Sequence, residues 1–492
     1  MKRMKMKRLV LFTLLCGSLM MSCADDMDDE VRDPSYMEIA DFIYRGMNDI
    51  YLYKSDIPEL ADGYFENKEE YIEYLSDWDS PSNLFYKGLV ATSKDRFSFI
   101  TDDYEELENT LSGISLTSGM DYRLSYLEEN GNDLVGYIRY VNKNTPAEEQ
   151  GLKRGMLFLE VNGTKLTIGN YEELLANENI TLNLAEFGKD GSIANTGESI
   201  AITQEKLTIN PILISKVFDD INGTKVGYLM YNSFVNDFDP ALNNVFATFQ
   251  AEGVQELVLD LRYNGGGSVE TAVNLASMIT GQFKDKIFMQ IKFNDQYQAF
   301  YEKRYPEELY YKFDNIVEKN EATINSLNLN RVYVIGTGST ASASELIING
   351  LKPYIDVVQI GTKTVGKFQA SQTRYDSPTF GSIDRNPNHK YAIQPLIFKS
   401  ANADGVTDYV DGLEPDIMIK EYVNSYGTLG EKDEPLLAAA LAKISGKTFA
   451  NTAMKSRITN KLLSADETEF NEPIKNTPTF QKMYVENLPF EE

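Results

Sequence analysis

Histidine, cysteine and tryptophan are nearly missing from this chain of 492 residues, which holds one His, two Cys and one Trp. Zinc, haem and iron–sulfur centres are built on His and Cys ligands, so no metal centre or cofactor is expected. Two cysteines, Cys16 and Cys23, also exclude a disulfide scaffold. Basic residues are in the minority, 47 Lys+Arg against 74 Asp+Glu, for a net charge of −27. That balance excludes a nucleic-acid binder, because phosphate contact needs a basic surface. What is present is ordinary for a globular protein: 42% hydrophobic and 11% aromatic residues. At roughly 100–200 residues per domain the length predicts about three domains.

The scarce positive charge is concentrated at the start. Lys2, Arg3, Lys5, Lys7 and Arg8 precede the apolar run Leu9–Met21. That run is shorter than the roughly 20 residues that span a bilayer, and it fits the apolar region of a signal peptide over 1–22. It ends in Met20-Met21-Ser22-Cys23, which resembles the bacterial lipobox, although Met stands where Leu is usual. The resemblance implies lipidation at Cys23 and anchoring to the membrane through the lipid only. The alternative is an ordinary secretory signal with an incidental cysteine. Removing the five cations takes the net charge from −27 to −32. Cys16 leaves with the signal, which excludes cysteine catalysis. The acidic run Ala24–Glu30 reads as a solvated tether over 23–34. In lipoproteins of the Bacteroidetes type such a run resembles a surface-export signal. The expected location is the cell envelope, as an outer-membrane lipoprotein, periplasmic or surface-exposed.

The remainder predicts a multidomain α+β chain. Residues 35–105 read as helical, with amphipathic aromatic segments at Tyr36–Tyr51 and Lys68–Trp78 whose rings are expected in a core. Residues 106–208 change to short β-rich runs and turns. Residues 209–430 alternate strands with helices, as expected of βαβ units. Residues 431–492 begin with the amphipathic Glu434–Ser445 and continue as a polar tail with no chemistry of its own. Within the second segment, Asn144–Gly155 predicts a short helix closed by glycine, followed by the strand Met156–Val161 and an Asn162-Gly163 hairpin turn. This looks like a bacterial PDZ domain, a family that binds extended peptides at a sheet edge and captures a C-terminal carboxylate. The carboxylate loop is expected near Leu111–Leu116.

Two loops carry the candidate chemistry. The strand pattern Glu256–Leu261 runs into Arg262-Tyr263-Asn264-Gly265-Gly266-Gly267, and the helix Val269–Thr280 follows. A strand, a glycine loop and a helix N-terminus together aim unpaired N–H groups at one point. The loop lacks the Gly-Lys-Ser/Thr ending of a phosphate cradle, and an oxyanion hole needs the same amide geometry. The strand Arg331–Ile335 leads into Thr340-Ala341-Ser342-Ala343-Ser344-Glu345 at a second helix start, and Lys367 follows the next strand, Asp356–Ile360. If the strands are parallel neighbours, both loops leave their carboxyl ends, and Ser342 and Lys367 face one crevice. Serine needs a base. The only histidine, His389, lies in a polar turn, so a lysine made neutral by burial is the better candidate.

These three motifs, in this order, resemble the carboxyl-terminal processing (tail-specific) serine peptidases, with Asp95–Phe99 before them and Asp411–Asp416 after them as further similar segments. The resemblance covers about residues 90–420. It implies a crotonase-like α/β peptidase core, Ser342 as nucleophile and Lys367 as general base; the amide geometry of the two loops puts the oxyanion hole at Gly266 and Ala343. The resemblance also implies protein or peptide C-termini as substrates and no metal. Many members carry a glutamine four residues after the lysine to orient it. Ser371 stands there, with Gln369 and Gln372 nearby as substitutes. That departure keeps open an inactive adaptor that binds peptide tails, which retention of both Ser342 and Lys367 disfavours; a crotonase-like acyl-transfer enzyme acting on small substrates fits the core but leaves the PDZ-like segment unexplained.

Overall fold

The computed structural model describes residues 36–128, 131–447, 449, 482–486 and 488. The signal segment, Cys23 and the acidic tether lie outside the described residues.

Helix Tyr36–Ile50 repeats buried side chains at Ile39, Phe42, Ile43, Met47 and Ile50, the three- and four-residue spacing of one apolar face. Most of that face packs on Leu75, Leu84, Phe85 and Leu89 in one cluster, which also takes in Ile393 and Leu396 from far along the chain. Helix Lys68–Ser76 starts where the Asn67 side chain accepts from Glu70 N–H. The helical segment is thereby seated on the later strands. Its rings form a packed cluster, as the sequence predicts.

Strands Met120–Tyr126, Leu134–Val141, Leu157–Val161, Asn179–Phe187 and Ile193–Thr203 form an antiparallel sheet with its own core of Leu124, Ile138, Phe158 and Leu182. The hairpin turn at Asn162 and Gly163 has positive φ at both residues, as a tight primed turn requires. The chain enters and leaves this sheet through a paired neck, Ile114–Thr117 against Glu205–Thr208. Of the Leu111–Leu116 stretch, only Ser112 and Gly113 lie outside regular structure.

Next comes a six-stranded sheet ordered Ile212–Ile221, Thr224–Tyr231, Glu256–Asp260, Arg331–Gly336, Asp356–Gly361 and Ile417–Met418. Its first pair is antiparallel and every later pair is parallel. Alternate side chains serve two cores. Leu257, Leu259, Val332 and Val334 meet helices Asp239–Glu252, Val269–Thr280 and Ala343–Leu351. Val258, Tyr333, Ile335 and Ile360 meet helix Pro435–Ile444. A sheet covered on both faces explains the near-continuous apolar runs in the sequence. A second sheet of mixed direction contains Gly267–Ser268, Met483–Tyr484, Gln369–Ser371, Leu396–Ala401, Ile287–Phe293 and Tyr310–Lys312. The polar tail thus contributes the short strand Met483–Tyr484 to this sheet.

Candidate active site

The glycine loop is fixed from below by one buried guanidinium. Arg262 Nε donates to Asp260 Oδ1 at 2.9 Å, Nη1 to Glu421 Oε1 at 2.9 Å and Glu434 Oε1 at 2.6 Å, and Nη2 to Glu434 Oε2 at 2.9 Å. With every partner buried, this network tolerates no missing member. Asn264 then shapes the turn: its Nδ2 donates to Tyr231 O and its Oδ1 accepts from Gly266 N–H at 2.8 Å. Gly266 and Gly267 have φ of +108° and +138°. A Cβ on Gly266 would stand 2.2 Å from Lys482 O and 2.7 Å from Ser342 Cβ; one on Gly267 would stand 2.1 Å from Phe234 O. Only glycine fits at either position.

The serine loop is tied to the glycine loop along its length. Thr337 Oγ1 donates to Arg262 O, Thr340 Oγ1 to Leu261 O, Ala341 N–H to Asn264 O and Ser344 Oγ to Asn264 O. Ser342 caps helix Ala343–Leu351 with φ of +66° and ψ of −117°. For a residue with a Cβ that conformation costs on the order of 1–3 kcal/mol, and it persists only where its surroundings enforce it. The side chain is fully buried, and among the described residues its Oγ has no hydrogen-bond partner. Ala343 is the first helical residue, so its N–H has no acceptor within the helix.

Glu345 joins the serine to the lysine. Its Oε2 accepts from Ser342 N–H and from Lys367 N–H, each at 2.8 Å, and its Oε1 accepts from Gly366 N–H at 2.7 Å and from Thr364 Oγ1. Burial pushes this carboxyl up to about 7, with the four donors opposing the shift. The Ser-x-x-Glu spacing of a capping box is the sequence signal for the local half of this role, the cap on Ser342.

Lys367 is 1% exposed. Its Nζ lies 4.8 Å from the centroid of the Phe97 ring, which belongs to the N-terminal segment. Burial lowers its pKa to about 7, against the opposing pull of Asp95 and Glu345. Asp95 is itself held by Tyr51 Oη and by the N–H groups of Phe97 and Ser98. The segment Asp95–Phe99 thus covers the lysine, a role invisible in a helical segment whose aromatics read as core.

The remaining candidates have hydrogen bonds of their own. Gln369 Nε2 donates to Tyr53 Oη at 2.9 Å, Gln372 Oε1 accepts from Arg374 Nη1 at 3.1 Å, and Ser371 Oγ donates to Met483 O at 3.1 Å. His389 packs on Phe42 and Tyr391; its Nε2 bonds Asp376 at 3.1 Å and its Nδ1 accepts from Tyr391 N–H. Both ring nitrogens are engaged, in a structural setting.

A buried serine on a strained helix start, beside a glycine loop and bound through one carboxylate to a low-pKa lysine, is the architecture of a serine-type hydrolase. Residues 225–419 match the profile of Peptidase family S41, and residues 38–99 match that of the Peptidase S41 N-terminal domain. The fold is similar to that of a Bacteroides fragilis NCTC 9343 chain assigned as an S41 protease, with TM-score 0.63 and 30% identity, covering 83% of this chain and 97% of that one. A "Probable CtpA-like serine protease" of Staphylococcus aureus strain COL is 24% identical over 379 residues, which are 76% of this chain and 67% of the relative. Its counterpart from strain MSSA476 is 25% identical over 304 residues, 61% of this chain and 54% of the relative. The chain therefore spans about half to two thirds of the length of these curated relatives. The chain belongs to peptidase family S41, the carboxyl-terminal processing serine peptidases.

Proposed function

We propose that this chain is an exported endopeptidase that cleaves protein or peptide chains through a Ser342–Lys367 dyad. Ser342 Oγ attacks the scissile carbonyl while neutral Lys367 Nζ takes its proton. The ammonium so formed gives that proton to the departing amine, leaving an ester on Ser342. Water then attacks the ester, with Lys367 again the base, and releases the new carboxyl end. The oxyanion is held by Ala343 N–H at the helix start and by Gly266 N–H, which exchanges its Asn264 acceptor for the stronger charged one. The observation that carries this reading is the Glu345 bridge: one carboxylate oxygen accepts from both Ser342 and Lys367 backbones, with the lysine buried and its pKa lowered to about 7. The antiparallel sheet over 120–203 is assigned the PDZ role, reading a free C-terminal carboxylate, in line with its short helix, glycine turn and hairpin order. Anchoring through Cys23 rests on the sequence pattern alone. Gln369 and Gln372 remain candidates for orienting the lysine.

The test is digestion of an unfolded protein by the wild-type chain and by three variants. Ser342→Ala and Lys367→Ala should each remove nearly all turnover, and the double variant should cost little more, since the two act as a unit. His389→Ala should retain most of it. Full activity in Lys367→Ala refutes the dyad.

A further inference from the structure

Beside the glycine loop runs a short piece of the same chain, Lys482–Glu486. Met483 and Tyr484 pair parallel with Gly267 and Ser268, and Tyr484 pairs with Ser371 on the other side. Gly267 N–H donates to Lys482 O at 2.5 Å, Val485 N–H to Ser371 O at 3.0 Å, and Ser371 Oγ to Met483 O at 3.1 Å. We infer that the groove filled by Lys482–Val485 is the strand-binding groove for substrate, and that this segment is its built-in occupant, a substrate mimic. The inference rests on the Ser–Lys reading and deepens it by naming how the substrate lies.

Three observations carry it. Main-chain hydrogen bonds on both sides are how an extended peptide is held irrespective of sequence. The register matters too. Lys482 O lies 2.2 Å from where a Cβ on Gly266 would stand, and that point is 2.7 Å from Ser342 Cβ. The carbonyl before Met483 therefore sits at the glycine loop beside the serine, on Gly267 N–H, the amide next to the Gly266 N–H proposed for the oxyanion. Finally, the side chain suits the seat badly. Lys482 is buried, its Nζ stands 3.9 Å from the Phe99 ring centroid, and among the described residues it has no hydrogen-bond partner. Lys367 lies close enough to disfavour its charge further. A strand kept only for stability would place an apolar residue there, since an unpartnered buried ammonium is costly. The groove therefore fits a peptide backbone with an uncharged, apolar or aromatic side chain at the Lys482 position. A cleft of about 460 Å³, lined by Tyr484, Val485 and Glu486 with Ser112, Gln372 and Arg385, continues along the same path and leaves room for an incoming chain.

The experiment uses the full chain carrying Ser342→Ala, so that nothing is cut, and a fluorescent peptide of residues 479–486 as probe. Val485→Pro removes the N–H that bonds Ser371, and Met483→Asp places a charge in a fully buried position; each releases the segment by a different route. The expected result is at least tenfold tighter peptide binding to either released chain, tighter still for the Lys482→Leu peptide. Equal affinity in released chains that still melt cooperatively overturns the inference. So does loss of the melting transition in both, which would mark the segment as a fixed part of the fold. Failure of the Ser–Lys reading looks different: peptides would bind as expected, and the chain with Ser342 restored would leave them intact.

Discussion

Replacing Lys367 by Met should change stability in a way that depends on pH, and the size follows from burial. Lys367 titrates near 7 in the folded chain against 10.5 for an exposed lysine. The sign is that of a base whose folded pKa is depressed. Below about pH 7 the ammonium is buried and its full penalty is present. As pH rises from 7 toward 10.5 the folded chain sheds the proton while the unfolded chain keeps it, and the penalty is relieved. The slope over that window is about 1.4 kcal/mol per pH unit for one proton. Lys367→Met carries no such penalty, so its advantage over wild type should be largest at pH 6 and shrink by about 2.5 kcal/mol by pH 9. Urea unfolding followed by circular dichroism at pH 6, 7.5 and 9 reads this difference directly, because the other titrating groups are common to both chains. An advantage constant to within about 0.5 kcal/mol across that range would refute a neutral lysine and, with it, the proposed base.

Phe97→Ala should admit water to Lys367, raise its pKa, and move the rising limb of the activity–pH profile upward by about one unit; an unmoved limb would show that the ring does not set the pKa. Glu345→Gln should lose an acceptor, turn an amide N–H₂ toward backbone donors and lower stability by about 1–3 kcal/mol, with activity falling further than stability explains; thermal melts and kcat separate the two. Gly266→Ala forces a Cβ against Lys482 O and Ser342 at positive φ, and should abolish turnover while lowering Tm by several degrees. Retained activity would show that the loop relaxes without harm.

The chemistry was legible in the sequence where local pattern sets geometry. Strand, loop and helix alternate at Glu256–Thr280 and again at Arg331–Leu351, and parallel neighbours follow from right-handed crossovers, so Ser342 and Lys367 could be brought to one end of a sheet. Helix Val269–Thr280 falls where the apolar pattern predicts it. What stayed hidden depends on contacts across long separations. Phe97 over Lys367 joins residues 270 positions apart, and nothing in an aromatic within a helical segment marks it as a cover rather than a core residue. Lys482 precedes the β-prone Met483-Tyr484-Val485, but so short a run in a polar tail does not say where it pairs; its partners, Gly267–Ser268 and Ser371, lie more than 100 residues away. The shared carboxylate of Glu345 could be anticipated only for its local half, the cap on Ser342, because its grip on Gly366 and Lys367 is set by the tertiary fold.

Those hidden contacts have one physical theme. A lysine reaches neutrality near pH 7 only if water is kept from it on every side, since partial hydration restores most of the solvation lost on burial. The parallel sheet supplies one wall, through the loop that carries Lys367. It cannot supply the opposite wall, because the carboxyl ends of its strands must stay open to a peptide. The N-terminal segment closes that side with Phe97 above Lys367 and Phe99 above Lys482, while Asp95 fixes the turn that holds both rings. Its helical cluster also packs on Ile393 and Leu396 of the peptidase core, so the cover over Lys367 is seated on that core. The helical segment is therefore part of the proposed base's environment, and a catalytic core expressed without it should hold Lys367 protonated at neutral pH.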